Sequence, residues 1–218
     1  MLRWKGILML VFDFFAGTGS STRAFEDAGD TVIRFELDDQ FDAEEHVDVF
    51  DLNAIHLYRK YGRPDFVWAS PPCTAFSVAS IGHHWTGGFQ AYLPKTEQAR
   101  VNQDLVWKTR TLISGLDPKI GYLIENPRGV LRKLPPVQGL TRRTVTYCQY
   151  GDERMKPTGL WGEVPGWVPR SMCKNGDDCH VSAPRGAKTG TQGLKGAAIR
   201  SMVPYELGYE IRKAITNG

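Results

Sequence analysis

The side chain best suited to covalent chemistry in this sequence is Cys73, which directly follows Ala69-Ser70-Pro71-Pro72 at the end of an apolar run. Two prolines stiffen such a turn and would hold the next side chain at the carboxyl edge of a sheet. A partly exposed cysteine near helix ends suits a reactive thiolate, the nucleophilic form of the side chain. The alternative, a buried inert cysteine, is less consistent with the two prolines.

A carboxylate follows the next strand-like segment. Glu125 opens Glu125-Asn126-Pro127-Arg128, just after the apolar stretch Tyr122–Ile124. If it faces the same crevice as Cys73, it could donate or accept a proton. The alternative is an acid that caps a helix or lies in a loop.

A glycine-rich turn follows the first apolar segment, in Asp13-Phe14-Phe15-Ala16-Gly17-Thr18-Gly19. A Gly-x-Gly turn lets the backbone approach a ligand, with a helix N-terminus beyond it. Position 22 is Thr22, so the full Gly-x-Gly-x-x-Gly spacing of dinucleotide binders is missing. The pattern favours a nucleoside cofactor without a pyrophosphate over NAD or FAD, although glycine turns also occur without a ligand.

Two more acids follow later strand-like segments. Glu36 lies about 20 residues beyond the glycine turn, where a carboxylate can accept hydrogen bonds from ribose hydroxyls. Asp48 lies in His46-Val47-Asp48-Val49, where the next strand or its turn should lie. Each acid alone could be a solvated loop residue. Together with Asp13 they mark three consecutive strand ends, which favours a cofactor site.

Strand-like and helix-like segments alternate over the first two-thirds of the chain. The predicted strands are Leu8–Phe12, Thr31–Glu36, Asp65–Ala69, Tyr122–Glu125 and Thr144–Tyr147. The predicted helices are Ser20–Ala28, Thr96–Gly115 and Pro204–Ile215. This alternation predicts an α/β fold, with a mostly parallel sheet and helices on both faces.

Length and composition are those of a globular protein. The 218 residues are 41% hydrophobic and 23% charged, enough for one sizeable domain and a small appendage. The apolar run Gly6–Phe15 is interrupted by Asp13 and is too short to span a bilayer, so we expect no membrane association. Four cysteines without a signal peptide favour a reducing cytoplasm.

Charge and texture change along the chain. Residues 1–60 are rich in acids, whereas basic residues dominate from Arg128 onwards, and the net charge is +3. This arrangement fits a polyanion bound to one side of the molecule, or a scattered solvated surface. From Gly151 neither helical nor strand periodicity persists. We predict three parts: residues 1–150 as the main domain, 151–198 as a small irregular subdomain, and 199–218 as a helix packed back on the main domain.

Three possible metal ligands lie in the irregular part, in Cys173-x5-Cys179-His180, with Cys148 upstream. A zinc ion could hold a segment that lacks its own core. The spacing is not that of a Cys-x2-Cys knuckle, and adjacent Cys179 and His180 are awkward ligands for one tetrahedral ion. The favoured interpretation is ordinary loop cysteines without a metal, and zinc is the alternative.

Taken in order, the glycine turn, Glu36, Pro71-Pro72-Cys73 and Glu125-Asn126 resemble the DNA cytosine-5 methyltransferase family, in particular its short phage and bacterial members. The resemblance covers about residues 8–150. It implies a Rossmann-like class I S-adenosylmethionine-dependent methyltransferase fold, with the irregular C-terminal subdomain serving target recognition. It also implies DNA as the partner and S-adenosylmethionine as the cofactor.

The resemblance assigns roles to individual residues. Cys73 would add to carbon 6 of cytosine, so that carbon 5 can attack the sulfonium methyl group. Glu125 would bind the N3/N4 edge of the base, and Arg143, with Arg142 as second choice, would complete the catalytic set. The implied cofactor-binding residues are Asp13, Phe14, Phe15, Ala16, Gly17, Thr18, Gly19, Glu36, Leu37, Asp48 and Pro71. The base must be flipped out of a duplex or presented single-stranded, and Thr74–Pro94 could close over it.

Departures from the family pattern keep alternatives open. Thr74 and Pro127 replace the commonest residues after Cys73 and Asn126, and Arg200-Ser201-Met202-Val203-Pro204 stands near the place of a Gly-Asn-Ser motif. The donor could therefore be a modified S-adenosylmethionine, and the substrate could be RNA. An amino-methyltransferase would carry an aromatic residue where Cys73 stands, and an inactive DNA-binding protein would not need Cys73 and Glu125. A monomer is slightly favoured.

Overall fold

The computed structural model describes residues 8–88, 91–174, 176–182 and 196–217. Its strands are β1 (Leu10–Phe14), β2 (Thr31–Glu36), β3 (Glu45–His46), β4 (Phe66–Ala69), β5 (Trp85–Gly87), β6 (Tyr92–Pro94), β7 (Gly121–Pro127), β8 (Arg142–Thr146) and β9 (Pro157–Glu163). Its α-helices are α1 (Arg23–Asp27), α2 (Ala54–Tyr61), α3 (Ile81–His84), α4 (Glu97–Leu116), α5 (Ala197–Ser201) and α6 (Tyr205–Asn217). Short 3₁₀ turns lie at Val49–Asp51, Val78–Ser80, Val130–Lys133, Pro135–Val137 and Tyr147–Tyr150.

Seven strands form the central sheet, in the order β3-β2-β1-β4-β7-β9-β8. The pairs from β3 to β7 are all parallel, whereas β9 is antiparallel to both of its neighbours. The strand order reverses beside β1, so a crevice opens at the carboxyl ends of β1 and β4, the usual ligand site of open α/β sheets. The predicted α/β fold is confirmed.

Helices cover both faces of the sheet. On one face, α2 and α4 contribute Leu57, Val106 and Leu112 to a core that includes Phe12 and Phe14. On the other face, α1 and α6 contribute Phe25, Leu207 and Ile211 to a core that includes Val11 and Trp68. Successive residues of a strand point to opposite faces, which is why Val11 and Phe12 belong to different cores. In the part of the chain that the structure describes, no helix is long and apolar enough to cross a bilayer.

The structure corrects the predicted boundary at residue 150. Pro157–Glu163 forms β9, which lies between β7 and β8 in the central sheet, so the irregular part cannot begin at residue 151. Gly159 and Gly162 hid this strand, because glycine lowers strand propensity. Within the subdomain predicted at 151–198, residues 183–195 lie outside the described residues, as do Gly6 and Ile7 of the N-terminal run and residues 89–90 of the predicted loop Thr74–Pro94.

A buried ion pair fastens the C-terminal helix to the sheet. Arg212 of α6 donates from Nε to Oδ2 of Asp30 at 2.7 Å, and the two side chains are 7% and 0% exposed. Oδ1 of Asp30 also accepts the backbone N–H of Met9. The pair therefore joins α6 to the segments where β1 and β2 begin.

We expect Arg212→Ala to lower the free energy of unfolding by about 3–5 kcal/mol, because it leaves the Asp30 carboxylate buried without its cation. Urea denaturation monitored by circular dichroism measures the change. Lys213→Ala, at an exposed neighbouring position, should stay within about 0.5 kcal/mol of the unmodified chain. A loss of stability below about 1 kcal/mol for Arg212→Ala would contradict the assignment.

Candidate active site

Cys73 lies on a loop that two buried asparagine side chains hold in place. The side-chain amide of Asn126 donates a hydrogen bond to the carbonyl of Pro71 at 2.8 Å. The side-chain amide of Asn102, on α4, donates to the carbonyl of Pro72 at 3.1 Å. Both asparagines are 1% exposed, so losing either hydrogen bond would leave polar groups buried without water. The thiol is therefore held just beyond the carboxyl end of β4.

Glu125 lies near the carboxyl end of β7 and is 5% exposed. The hydroxyl of Tyr147 donates a hydrogen bond to Oε1 of Glu125 at 2.9 Å. Burial raises the pKa of Glu125, and the charge of Lys156 and hydrogen bonds from Tyr147 and Ser70 oppose this effect. A carboxyl group that keeps its proton to higher pH than usual is suited to proton transfer.

A cavity of about 290 Å³ joins Cys73 and Glu125 to the glycine turn. Its walls include the loops that follow β1 and β4 and the carboxyl end of β7, three strands that are adjacent in the sheet. A larger cavity of about 580 Å³ opens near Tyr150 and Tyr205, but none of the predicted catalytic or cofactor-binding residues lines it. The smaller cavity is therefore the candidate active site.

Lys156 brings a positive charge to this cavity. Its Nζ atom lies 4.5 Å from the centroid of the Tyr147 ring and donates to the carbonyl of Arg200 at 2.9 Å. Burial lowers the pKa of Lys156, while the charge of Glu125 acts in the opposite direction. A lysine beside both the acid and the thiol can balance the negative charge that either one carries.

The C-terminal segment closes the side of the cavity beyond the glycine turn. Ala197, Arg200, Ser201 and Val203 line the cavity, and the backbone N–H of Val203 donates to Oγ of Ser20 at 3.0 Å. This is the segment that stands in place of the family's Gly-Asn-Ser motif. The structure brings it to the cofactor side of the site despite its different sequence.

Asp13 anchors the glycine turn from beneath and does not line the cavity. Oδ2 of Asp13 accepts hydrogen bonds from the hydroxyls of Ser21 and Thr22, both at 2.7 Å. Burial raises the pKa of Asp13 to about 6, against the opposing effect of these hydrogen bonds. Phe14 is fully buried in the core. Of the predicted cofactor-binding residues, Asp13 and Phe14 therefore act as supports, and the cavity is likewise not lined by Gly19, Glu36, Leu37 and Asp48.

The turn itself forms the cavity wall through Phe15, Ala16, Gly17 and Thr18. Gly17 has φ +51°, and a Cβ atom added there would meet no heavy atom within 4 Å. The backbone at Gly17 therefore faces open space, as contact with a ligand requires. Phe15 also has a left-handed backbone, with φ 61°; strain of this kind concentrates at functional sites.

Glu36 ends β2 and ties the neighbouring strand end to the turn. Its Oε2 atom accepts the backbone N–H of Gly17 at 2.8 Å, and Oε1 accepts those of Leu37 and Asp38. A carboxylate has about four acceptor positions, and three of them are used here, so Glu36 can still accept one ribose hydroxyl. Asp48 lies after β3, the strand next to β2. It caps the 3₁₀ turn Val49–Asp51 by accepting a hydrogen bond from the N–H of Phe50.

The thiol of Cys73 is partly buried. Burial raises its pKa, the charge of Glu125 raises it further, and the charges of Lys156 and Arg200 lower it. The thiol form therefore dominates while Glu125 is ionised. Protonation of Glu125 removes one of the charges that oppose the thiolate, so the two groups favour a state in which they share a single proton.

The structure does not bring Arg143 into the cavity. Arg143 pairs with Leu160 of β9, which pairs with Glu125 of β7, so it lies two strand spacings, roughly 9.6 Å, from Glu125 along the sheet. Its guanidinium lies 5.9 Å from the centroid of the Trp167 ring. Arg142, the second choice, is exposed at the start of the edge strand β8. The basic residue beside Glu125 is Lys156 and neither of the two predicted arginines.

Sequence reasoning missed three residues that shape this site: Asn102, Tyr147 and Lys156. The position of Lys156 depends on β9 entering the sheet between β7 and β8. Asn102 had no local signal, because it is one polar residue on a long helix. Only the packing of α4 against the Cys73 loop gives it a partner.

The residues around the cavity fit S-adenosylmethionine. The backbone at Gly17 is open to a ligand, and the Glu36 carboxylate next to it can accept hydroxyl hydrogen bonds. The same cavity continues to Cys73, so the cofactor and the nucleophile would share one space. The turn, Glu36 and the C-terminal segment would hold the cofactor.

Comparison with known proteins gives a consistent result. The family model described as C-5 cytosine-specific DNA methylase matches residues 9–134, more than half of the chain. The probable DNA (cytosine-5)-methyltransferase of Frog virus 3 (isolate Goorha) is 29% identical over 177 residues, which are 78% of this chain and 78% of that protein. The structure of Entamoeba histolytica methyltransferase EhMeth has a similar fold, with a TM-score of 0.53 and 11% identity over 77% of this chain; the chain spans 57% of that protein.

Proposed function

Because the chain belongs to the C-5 cytosine-specific DNA methylase family, we propose that it methylates carbon 5 of cytosine in DNA through a covalent adduct with Cys73. Family membership confirms the predicted cofactor, S-adenosylmethionine, and makes the chain an S-adenosylmethionine-dependent methyltransferase. The observation that carries the proposal is that Cys73 and Glu125 line one cavity with the glycine turn.

The bound cofactor supplies an electrophilic methyl group on a sulfonium centre. The thiolate of Cys73 forms a bond from Sγ to carbon 6 of cytosine, and the electron pair of the 5,6 double bond moves to carbon 5 as N3 takes a proton. Glu125 holds and delivers that proton, supported by the hydroxyl of Tyr147. Once carbon 5 carries the methyl group and the donor has left as a neutral thioether, carbon 5 loses its hydrogen as a proton to water. The electron pair re-forms the 5,6 double bond as Sγ leaves carbon 6 as a thiolate, and N3 returns its proton to Glu125.

The target base must leave the DNA stack to reach this cavity, because both faces of carbon 5 are covered by neighbouring base pairs in a duplex. Cys73 is only partly exposed and Glu125 is buried, so a base can contact both only by entering between the loops. We therefore include base flipping, or a single-stranded substrate, in the proposed function.

Three arginines form a candidate DNA-backbone groove beside the site. Arg128, Arg132 and Arg142 are exposed and line a groove of about 160 Å³. Arg128 directly follows Pro127, which lines the catalytic cavity. Guanidinium groups suit phosphate oxygens, so this groove can hold the backbone next to a flipped cytosine.

We expect the double variant Arg132→Gln/Arg142→Gln to weaken DNA binding similarly for all sequences. The slope of log affinity against log salt concentration should fall by roughly 1.8, about 0.9 for each phosphate that the protein no longer neutralises. Fluorescence anisotropy at several salt concentrations measures both effects. Arg59→Gln, an exposed arginine on α2, is the charge-matched control and should change neither. Equal salt-dependence slopes for the double variant and the control would refute the proposal that this groove binds the DNA backbone.

The covalent mechanism is tested by trapping. DNA containing 5-fluorocytosine, mixed with the enzyme and S-adenosylmethionine, should give a protein–DNA adduct in intact-mass analysis, because fluorine at carbon 5 cannot leave as a proton. The adduct should be absent for Cys73→Ser. If the cofactor binds but no DNA of varied sequence or strand state is captured, methylation of DNA at carbon 5 is excluded. Capture of the matching RNA alone would identify RNA as the substrate.

A further inference from the structure

A cluster of three thiols and one imidazole lies outside the catalytic cavity. The ligand atoms of Cys148, Cys173, Cys179 and His180 all lie within 4.8 Å of one another. We propose that these four residues bind a structural zinc ion with three sulfur ligands and one nitrogen ligand. This inference does not depend on the proposed catalytic mechanism.

Three of the four distances between ligand atoms match a tetrahedral site, and the fourth, between the sulfurs of Cys148 and Cys173, is shorter. Zinc–sulfur bonds of about 2.3 Å and zinc–nitrogen bonds of about 2.0–2.1 Å place two sulfurs about 3.8 Å apart, and sulfur and nitrogen about 3.6 Å apart. The sulfur atoms of Cys148 and Cys179 are 3.6 Å apart, and those of Cys148 and Cys173 are 3.1 Å apart. Nδ1 of His180 lies 3.6 Å from the sulfur of Cys179 and 3.8 Å from that of Cys173. A disulfide would need about 2.05 Å between sulfurs.

The chain turns back between Cys173 and Cys179. The backbone N–H of Lys174 donates to Oδ2 of Asp177 at 2.7 Å, and the N–H of Asp177 donates to the carbonyl of Lys174. Beyond this turn, Sγ of Cys179 and Nδ1 of the adjacent His180 lie 3.6 Å apart. This distance removes the objection that adjacent ligands are awkward for one ion.

Groups around the cluster fix its orientation. The backbone N–H of Cys173 donates to Oγ1 of Thr146 at 3.0 Å in the buried interior. The side-chain amide of Gln149 donates to the sulfur of Cys179 at 3.2 Å. Hydrogen bonds to metal-bound thiolates are typical of the residues that surround the ligands of a zinc site.

Apolar burial does not account for the position of residues 168–182, which follow the buried Trp167. The large apolar side chains Val168, Met172 and Val181 are 82%, 39% and 59% exposed, whereas Cys148 and Cys173 are 7% and 6% exposed. Two of the four proposed metal ligands, Cys148 and Cys173, are therefore buried, although the apolar side chains around them are not. Binding of the metal would supply the free energy that orders the segment.

The site would connect the segment to the catalytic machinery. Cys148 directly follows Tyr147, whose hydroxyl contacts Glu125. Met172 directly precedes Cys173 and lines the groove of Arg128, Arg132 and Arg142. A zinc ion would thus fasten one wall of the proposed DNA groove to the strand end that supports the acid.

The test is the metal content of the full chain after purification without a chelator. It is measured by inductively coupled plasma mass spectrometry. We expect about one zinc per chain. Cys179→Ser and His180→Ala, both at partly exposed positions, should each reduce retained zinc at least tenfold, whereas Cys73→Ser should retain it in full. The apo protein titrated with cobalt should show the visible and charge-transfer bands of a tetrahedral thiolate site.

Two results would overturn the proposal. One is a reduced, folded chain that retains no zinc and shows no cobalt bands on titration. The other is full zinc retention in both the Cys179→Ser and His180→Ala variants. The cobalt titration of the unmodified chain keeps the test decisive even if a variant fails to fold. Failure of this test leaves the trapping experiment on Cys73 unaffected, since the two use different cysteines.

Discussion

Cys73→Ser should lower the rate of cytosine methylation by about 10⁴-fold or more, the scale of effect seen when a covalent nucleophile is removed. A serine hydroxyl ionises far less readily than a thiol, so it would add to carbon 6 of the base much more slowly. Transfer of a radioactive methyl group to DNA measures the rate. The substitution changes one atom in a loop that Asn102 and Asn126 hold, so the fold should persist.

Cofactor affinity and thermal stability separate a chemical effect from a structural one in this variant. The glycine turn and Glu36 do not include position 73, so binding of S-adenosylmethionine by calorimetry should be unchanged within about twofold. The unfolding midpoint should also be close to that of the unmodified chain. A Cys73→Ser enzyme that keeps a tenth or more of its activity would exclude the covalent mechanism.

The second large effect is expected for Glu125→Gln, which should lower the rate by roughly 10²–10⁴-fold. Glutamine keeps the shape of the side chain and can still accept the hydrogen bond from Tyr147, but it cannot deliver a proton to the base. Tyr147→Phe is the matched control, because it removes the supporting hydroxyl and leaves the acid in place. Its activity should fall less than that of Glu125→Gln.

The pH profile distinguishes a catalytic Glu125 from a structural one. The active form of the unmodified enzyme has a protonated Glu125 and a thiolate at Cys73, that is, one proton between the two groups. Its kcat/KM should be flat between the two pKa values and fall below the pKa of Glu125 and above that of Cys73. Burial raises both values, so the active window should move towards alkaline pH.

Residual activity of Glu125→Gln should follow only the fraction of thiolate, so it should rise with pH and show no alkaline fall. Removing the Glu125 charge also lowers the pKa of Cys73, since that charge raises it. Alkylation of Cys73 by iodoacetamide, read by peptide mass spectrometry, should therefore speed up roughly two- to fivefold above the pKa of Glu125. An unchanged alkylation rate and a fully retained alkaline fall would assign Glu125 a structural role.

Much of the fold follows from local pattern. The order of strand-like and helix-like segments predicts the sheet, and the helix predicted at Thr96–Gly115 corresponds to α4. Thr96 begins that helix because its hydroxyl accepts the N–H of Ala99, which is a purely local interaction. The positions of Cys73 and Glu125 at strand ends likewise depend only on where apolar runs stop.

Other features depend on segments that are far apart in the chain. β9 is poor in strand formers, yet it forms because two strands offer it hydrogen-bonding partners on both sides. That pairing places Lys156 beside Glu125 and leaves Arg143 outside the cavity. The sequence around Glu125 therefore could not show which basic residue lies next to it. The same is true of Cys148 and His180, which meet across a turn that spacing alone did not predict.

Short motifs therefore suffice to predict the family, the α/β fold, the cofactor and the two residues proposed for the chemistry. Each of these motifs depends only on residues that are close together in the sequence. Folding of the whole chain was needed to show which cation faces Glu125, which asparagines hold Cys73, and that three cysteines and a histidine share one point. Those outcomes depend on strand pairing and helix packing between residues as far as 55 positions apart, where contact is set by the whole core and not by neighbouring residues.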